Sequence, residues 1–161
     1  MIKHLLTDTE LRGALFAAEK ELNEFNKIKF VRTKDWRNEF ILDFPGVYAL
    51  YERIGDDYVL LYIGETGSLK ERMSDICRTV NHTFRRQLGQ KRFNGNKSKK
   101  KFDVEIESML DNFFDDKLYL SFIKVNFGRT EIESYLVTKH QDILLNSETK
   151  RKLKMELDRL E

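Results

Sequence analysis

The chain predicts an α+β fold: a small three-stranded, mostly antiparallel sheet flanked by helices, with an added N-terminal helix. Two strand-like runs, Val47 to Glu52 and Tyr58 to Ile63, are rich in Val, Leu, Ile and Tyr and flank the turn sequence Gly55-Asp56-Asp57, which is the pattern of a β-hairpin. A third run, Leu118 to Phe127, alternates and is β-branched or aromatic enough to be another strand. Around these runs apolar residues recur three and four apart, so helices and strands are interleaved about one small sheet.

Taken in order, Thr7 to Asn26 places Leu11, Leu15, Ala18, Leu22 and Phe25 on one face of an amphipathic helix that packs on the sheet. Ile28 to Val31 and Phe40 to Phe44 are short apolar pieces around a turn region at Trp36, and their periodicity leaves strand and irregular structure open. A hairpin loop centred on Gly55 makes Tyr48 and Tyr62 direct cross-strand neighbours, with both hydroxyls on one face. Ser68 and Glu71 form a capping box, so a helix is predicted from Leu69 to about Val80, with Arg72 on its first full turn. Gly128-Arg129-Thr130 ends the third strand. Glu131 to Leu145 resumes helical spacing through Ile132, Tyr135, Leu136 and Ile143, and Asn146-Ser147 reads as the N-cap of a charged terminal helix.

A chain of 161 residues, 40% of them hydrophobic, suits one domain. Such a domain buries roughly 70% of its unfolded surface. Pro45 is the only proline, and no Gly/Ser-rich linker or fixed-period repeat divides the chain. Residues 1–43 are expected to form a helical extension on the same domain, residues 44–146 the main domain, and residues 147–161 a C-terminal helix. The N-terminal residues lack the apolar run of a signal peptide, and no stretch reaches membrane-spanning length. A soluble, cytoplasmic protein with no membrane partner is expected. Lone Cys77 excludes an internal disulfide, and His4, His82 and His140 lack zinc-ligand spacing.

Net charge is only +2, yet residues 76–102 carry nine basic residues and no acid. The other 20 bases face 27 acids, so the remainder carries −7 against +9. One-sided positive potential suits a polyanion. Arg78, Arg85, Arg86, Lys91, Arg92, Lys97, Lys99, Lys100 and Lys101 are the candidate nucleic-acid contacts, with Gln87 to Phe102 read as a DNA-contacting loop. Nothing in it predicts a base-reading code. For Lys97 to Lys101 alone, a solvated loop that aids solubility is the ordinary reading.

Phenols, a guanidinium and a helical carboxylate are groups a protein would assemble to hydrolyse a phosphodiester with one metal ion. Gly46-Val47-Tyr48, Tyr62-Ile63-Gly64, Arg72, Ile132-Glu133 and Asn146 occur in that order. In these five elements, spanning Phe44 to Asn146, the sequence resembles the GIY-YIG nuclease superfamily. Its known members are DNA-cleaving repair, recombination, homing and restriction enzymes, so the resemblance implies phosphodiester hydrolysis with a divalent metal, Mg²⁺ or Mn²⁺. It also implies supporting roles for Gly46, Gly64 and Asn146.

Each residue has an ordinary alternative. Tyrosines favour strands, and a phenol with a pKa of about 10 is a poor base at neutral pH. A metal or Arg72 nearby would favour the phenolate, making either Tyr48 or Tyr62 the water-activating group. Arg72 would clamp a phosphate, since a planar guanidinium fits two phosphoryl oxygens at once. Glu133 is the metal ligand, with Glu131 in reserve. Its rival reading comes from Thr130-Glu131-Ile132-Glu133, itself a capping box. Asn146 is either a helix cap or a polar support for the site. The main departure is Ile76, where many members place a tyrosine or histidine one turn after the arginine; His82, with Arg85, is the candidate to fill that gap.

The leading expectation is therefore a metal-dependent DNA endonuclease acting on duplex or branched DNA through catalytic Tyr48, Tyr62, Arg72, His82 and Glu133. The rival is a catalytically weak or inactive nucleic-acid-binding module of the same fold, which Ile76 favours. A third class, an interaction protein using the Thr7 to Asn26 helix, leaves the ordered motifs unexplained. Oligomeric state is open, and a homodimer is one way to cut both strands.

Overall fold

Apolar side chains on both faces of the second strand dictate a sheet covered on both sides. The computed structural model describes residues 8–97 and 100–146. Along it run α1 (Asp8–Glu24), β1 (Ile28–Lys29), α2 (Lys34–Phe40), β2 (Gly46–Ile54), β3 (Asp57–Thr66), α3 (Leu69–Ile76), α4 (Thr83–Arg92), α5 (Val104–Lys117), β4 (Leu118–Lys124) and α6 (Arg129–His140). The sheet has four strands rather than three, in the order β1-β4-β2-β3, and every pairing is antiparallel. The extra strand, β1, is a two-residue ladder, Ile28 against Leu120 and Lys29 against Tyr119. Two residues are too few to display period-two alternation.

Alternation along β2 sorts the core into two layers. Tyr48 and Leu50 face a cluster with Met73 and Ile76 of α3, Phe84 and Leu88 of α4, and Leu110 and Phe114 of α5. Val47, Ala49 and Tyr51 face the other cluster, with Ala18 and Leu22 of α1 and Leu136 and Val137 of α6. β3 is left as the edge strand, and its exposed side is met by the chain after α6. Leu145 N–H donates to Leu61 O (2.7 Å), and the Asn146 side chain brackets Ile63, accepting from its N–H (3.3 Å) and donating to its carbonyl (2.7 Å). Pairing the edge in this way also removes a template for aggregation.

Several boundaries differ from those read in the sequence. The Trp36 region is helical: Thr33 Oγ1 accepts from Trp36 N–H (3.3 Å) and caps α2. α3 stops at Ile76, because His82 caps a separate α4 after a short connection. Gln87 to Arg92 is helix, so the basic loop is confined to the connection between α4 and α5. α5 itself begins at an Asp103 cap whose Oδ1 accepts from Ile106 N–H (2.9 Å). The terminal helix expected after Asn146 lies outside the described residues, as does Lys99. Among the described residues no helix is long and apolar enough to cross a membrane.

Candidate active site

The β2–β3 hairpin builds the site through a bulge. Its turn pairs Ile54 with Asp57 and Glu52 with Val59, a register that, continued, would set Tyr48 opposite Ile63 and turn Tyr62 to the other face. The register shifts between Leu50 and Tyr51, leaving Leu61 unopposed, and beyond it Leu50 meets Tyr62 and Tyr48 meets Gly64. The two tyrosines thus share a face as diagonal neighbours rather than the directly opposed pair expected from a loop centred on Gly55. Their rings stack at 6.3 Å between centroids, 24° from parallel. Glycine at 64 is required, since a methyl there would overlap Cζ and Oη of Tyr48. At Gly46 a methyl would strike the carbonyl oxygen of Ile123 on β4.

Tyr48 Oη lies 3.0 Å from Nε2 of His82. His82 is the N-cap of α4, and its Nδ1 accepts from the Phe84 N–H (3.0 Å). That bond fixes the tautomer: Nδ1 holds a lone pair, so the ring proton is on Nε2, and Nε2–H donates to the phenol oxygen. The phenol's own proton is then directed away from His82 Nε2. Ile76, one turn after Arg72, is 0% exposed and belongs to the core. The imidazole next to Tyr48 comes instead from the start of the following helix. Tyr62 packs edge-on to the same imidazole (5.4 Å) and to Phe84 (5.6 Å).

Arg72 is positioned by the Ser68 cap, whose Oγ accepts from Glu71 N–H (3.3 Å) while its carbonyl accepts from Arg72 N–H (3.1 Å). Glu133 departs from the capping-box reading. α6 begins two residues earlier than that box requires, behind Gly128 at φ 85°, with no side-chain cap. Glu133 therefore sits in the second turn, where it is only 6% exposed yet lines the cleft; Glu131 is solvent-exposed. Tyr48, Tyr62, Arg72, His82 and Glu133 together border one polar cleft of ≈ 210 Å³. Glu65, Asn81 and Thr83 border it too, and sequence reasoning missed them. Their only signal was adjacency to Gly64 and His82.

Burial pushes the Tyr48 phenol well above its ordinary pKa of 10, and Tyr62 adds to the rise, while the Arg72 charge pulls against it. Tyr62 is raised to about 12, again by burial against Arg72. For a metal, the donor set is Glu133, with Glu65 near but ion-paired to Arg129 (3.1 Å). Among the described residues no group of three His, Cys, Asp or Glu forms a metal cluster. One carboxylate in an open polar cleft fits Mg²⁺ or Mn²⁺, which keep water ligands, and does not fit a closed zinc site.

The basic residues separate into two sets. Arg85 is not a phosphate contact: it is 2% exposed, and its guanidinium bonds Thr79 Oγ1 (3.2 Å), Glu107 Oε2 (2.8 Å) and Asp111 Oδ1 (2.9 Å). Arg92 is tied to buried Glu52 (2.7 Å). Arg78, Lys91, Lys97, Lys100 and Lys101 are exposed, and Arg86 is half-buried. Arg78 and Lys101 line a second cleft of ≈ 370 Å³ that shares Asn81 with the first. Asn146 stands behind the site, bracketing Ile63 between Tyr62 and Gly64.

The model of the GIY-YIG catalytic domain family matches residues 47–160. No curated protein and no solved structure gives a significant match.

Proposed function

The chain belongs to the GIY-YIG catalytic domain family, a family of endonucleases acting on nucleic acid, and on that premise we propose that it is a metal-dependent DNA endonuclease with Tyr48 as the water-activating group. The observation that supports this reading is the convergence of two phenols, a guanidinium, an imidazole and a carboxylate on one cleft. Arg72 binds two oxygens of the scissile phosphate and opposes charge growing on them during attack. Tyr48, as phenolate, takes the proton of the attacking water. His82 cannot be the base that first removes the Tyr48 proton, because its Nδ1 lone pair is committed to Phe84; its Nε2–H instead holds the phenolate oxygen in place. Glu133 would hold the Mg²⁺ or Mn²⁺ ion, which when bound supplies Lewis-acid stabilisation of the leaving 3′ oxygen. Arg78 and Lys101 extend positive charge from the cleft through Asn81, a path for the substrate backbone.

Incubating the protein with supercoiled plasmid and Mg²⁺ or Mn²⁺, alongside Glu133→Ala and Arg72→Ala, tests the reading. Wild type nicks and both variants lose the activity. A wild type that binds DNA but does not nick establishes the rival, an inactive binding module. The rate should also climb with pH. Since the Tyr48 pKa lies well above 10, the phenolate fraction grows about tenfold per unit throughout neutral and mildly alkaline pH. A single-turnover rate that stays flat or falls from neutral to mildly alkaline pH, below the phenol's ordinary pKa of about 10, removes Tyr48 from the role.

A further inference from the structure

The turn between β4 and α6 carries the most exposed large apolar side chain among the described residues: Phe127 is 96% exposed. A single exposed apolar residue ordinarily needs no explanation. Here the turn that presents it is tied down on both sides. Val125 N–H donates to Pro45 O (2.9 Å), at the entry to β2. Arg129 reaches back to the carbonyls of Val125 (3.5 Å) and Asn126 (3.1 Å), and its Nε bonds Glu65 Oε2 (3.1 Å). Glu65 lines the catalytic cleft, so the turn that carries Phe127 is tied through Arg129 to a residue of that cleft. A ring presented in this way loses little conformational freedom on contact.

A flat apolar surface on a turn tied to a phosphodiester-cleaving site matches one feature of the substrate, the face of a base. In continuous duplex every base face is already covered by its neighbours, whereas an unpaired nucleotide offers one. We propose that Phe127 stacks on the base of an unpaired nucleotide next to the scissile phosphate, so that DNA containing such a nucleotide, at a branch, flap or bulge, is the preferred substrate over continuous duplex. This rests on the endonuclease reading above.

The test uses Glu133→Gln protein, to block turnover, and two labelled duplexes: one carries 2-aminopurine as a single unpaired nucleotide, and the other is fully paired. Binding quenches the unpaired 2-aminopurine when Phe127 is present. In the Phe127→Ala, Glu133→Gln protein the quench is lost and the Kd for this DNA rises about tenfold, the scale of one aromatic–base stack, while the Kd for continuous duplex changes less than about twofold. Phe127→Trp keeps the quench. The proposal is overturned if Phe127→Ala preserves the quench, if it weakens both DNAs equally, or if it changes the sedimentation of the protein alone, which would make the ring a contact between copies. Cleavage by wild type without the quench sinks the stacking claim alone. A Phe127-dependent quench with no cleavage of either DNA sinks the nuclease claim alone.

Discussion

Tyr48→Phe should lower the nicking rate by ~10³-fold, the middle of the range for a lost general base, while the protein stays folded. The ring's volume is conserved and its packing against Tyr62 persists. The structural cost is one buried donor, His82 Nε2–H, deprived of its acceptor, worth about 1–2 kcal/mol. Tyr62→Phe should cost less activity, because the Tyr62 ring meets His82 through its edge rather than through a hydroxyl bond of the kind Tyr48 makes. His82→Asn separates capping from chemistry. Asparagine still caps α4, but nothing then donates to Tyr48 Oη from that position, the phenolate loses a stabilising bond, and the rising limb of the pH–rate profile should move to higher pH. Single-turnover nicking across pH, with melting temperatures for each variant, reads all three. If Tyr62→Phe is inactive and Tyr48→Phe retains wild-type rates, the two phenols exchange roles.

Much of this site was legible in the sequence because its parts are short, local signals. Ser68 and Glu71 announced the helix that carries Arg72; the Ser68 half of the capping box forms, while the Ser68 N–H donates to Thr66 Oγ1 (3.1 Å) rather than to Glu71. The resemblance implied supporting roles for Gly46 and Gly64, and the overlaps that a methyl would make at each give those roles a physical reason. What stayed hidden depends on tertiary context. The bulge at Leu61 has no composition signature, yet it alone decides that Tyr48 and Tyr62 share a face. α5 carries Ile106, Leu110, Phe113 and Phe114 at helical spacing, yet that spacing went unread between the basic run ending at Phe102 and the strand at Leu118. β1 is too short for periodicity, and Asn146 bonds a strand 83 residues away. Arg85 and Arg78 look alike in sequence. Burial separates them, and burial is set by Glu107 and Asp111 on a helix that periodicity should have revealed.

That difference yields the largest expected loss of stability. Arg85→Met keeps an unbranched aliphatic stem but withdraws the guanidinium that lies over Phe114 (5.1 Å from Cζ to the ring centroid) and joins α4 to Glu107 and Asp111. Removing one partner from a buried ion pair costs about 3–5 kcal/mol, because the other charge is left behind without compensation. In a chain of this size that corresponds to a fall in melting temperature of roughly 10 °C. Asp111 retains Arg32 (2.9 Å), and Glu107 retains Thr79 (2.7 Å) and the Phe102 N–H (3.2 Å), which holds the loss towards the lower end. Burial acts to raise the Glu107 pKa, but hydrogen bonds from Arg85, Thr79 and Phe102 outweigh it and hold the carboxyl below its ordinary 4.5. A depressed carboxylate stabilises the fold above its unfolded pKa and loses that contribution as pH falls through the folded one. Wild type and Arg85→Met should therefore differ fully at neutral pH and converge on acidification below about pH 4. DNA binding supplies the contrast. Substituting Lys97, Lys100 and Lys101 should reduce the slope of log K against log salt by about one for each phosphate that is no longer neutralised, whereas Arg85→Met should leave that slope unchanged. An Arg85→Met protein as stable as wild type, or one with a shallower salt slope, would return Arg85 to the DNA-binding surface.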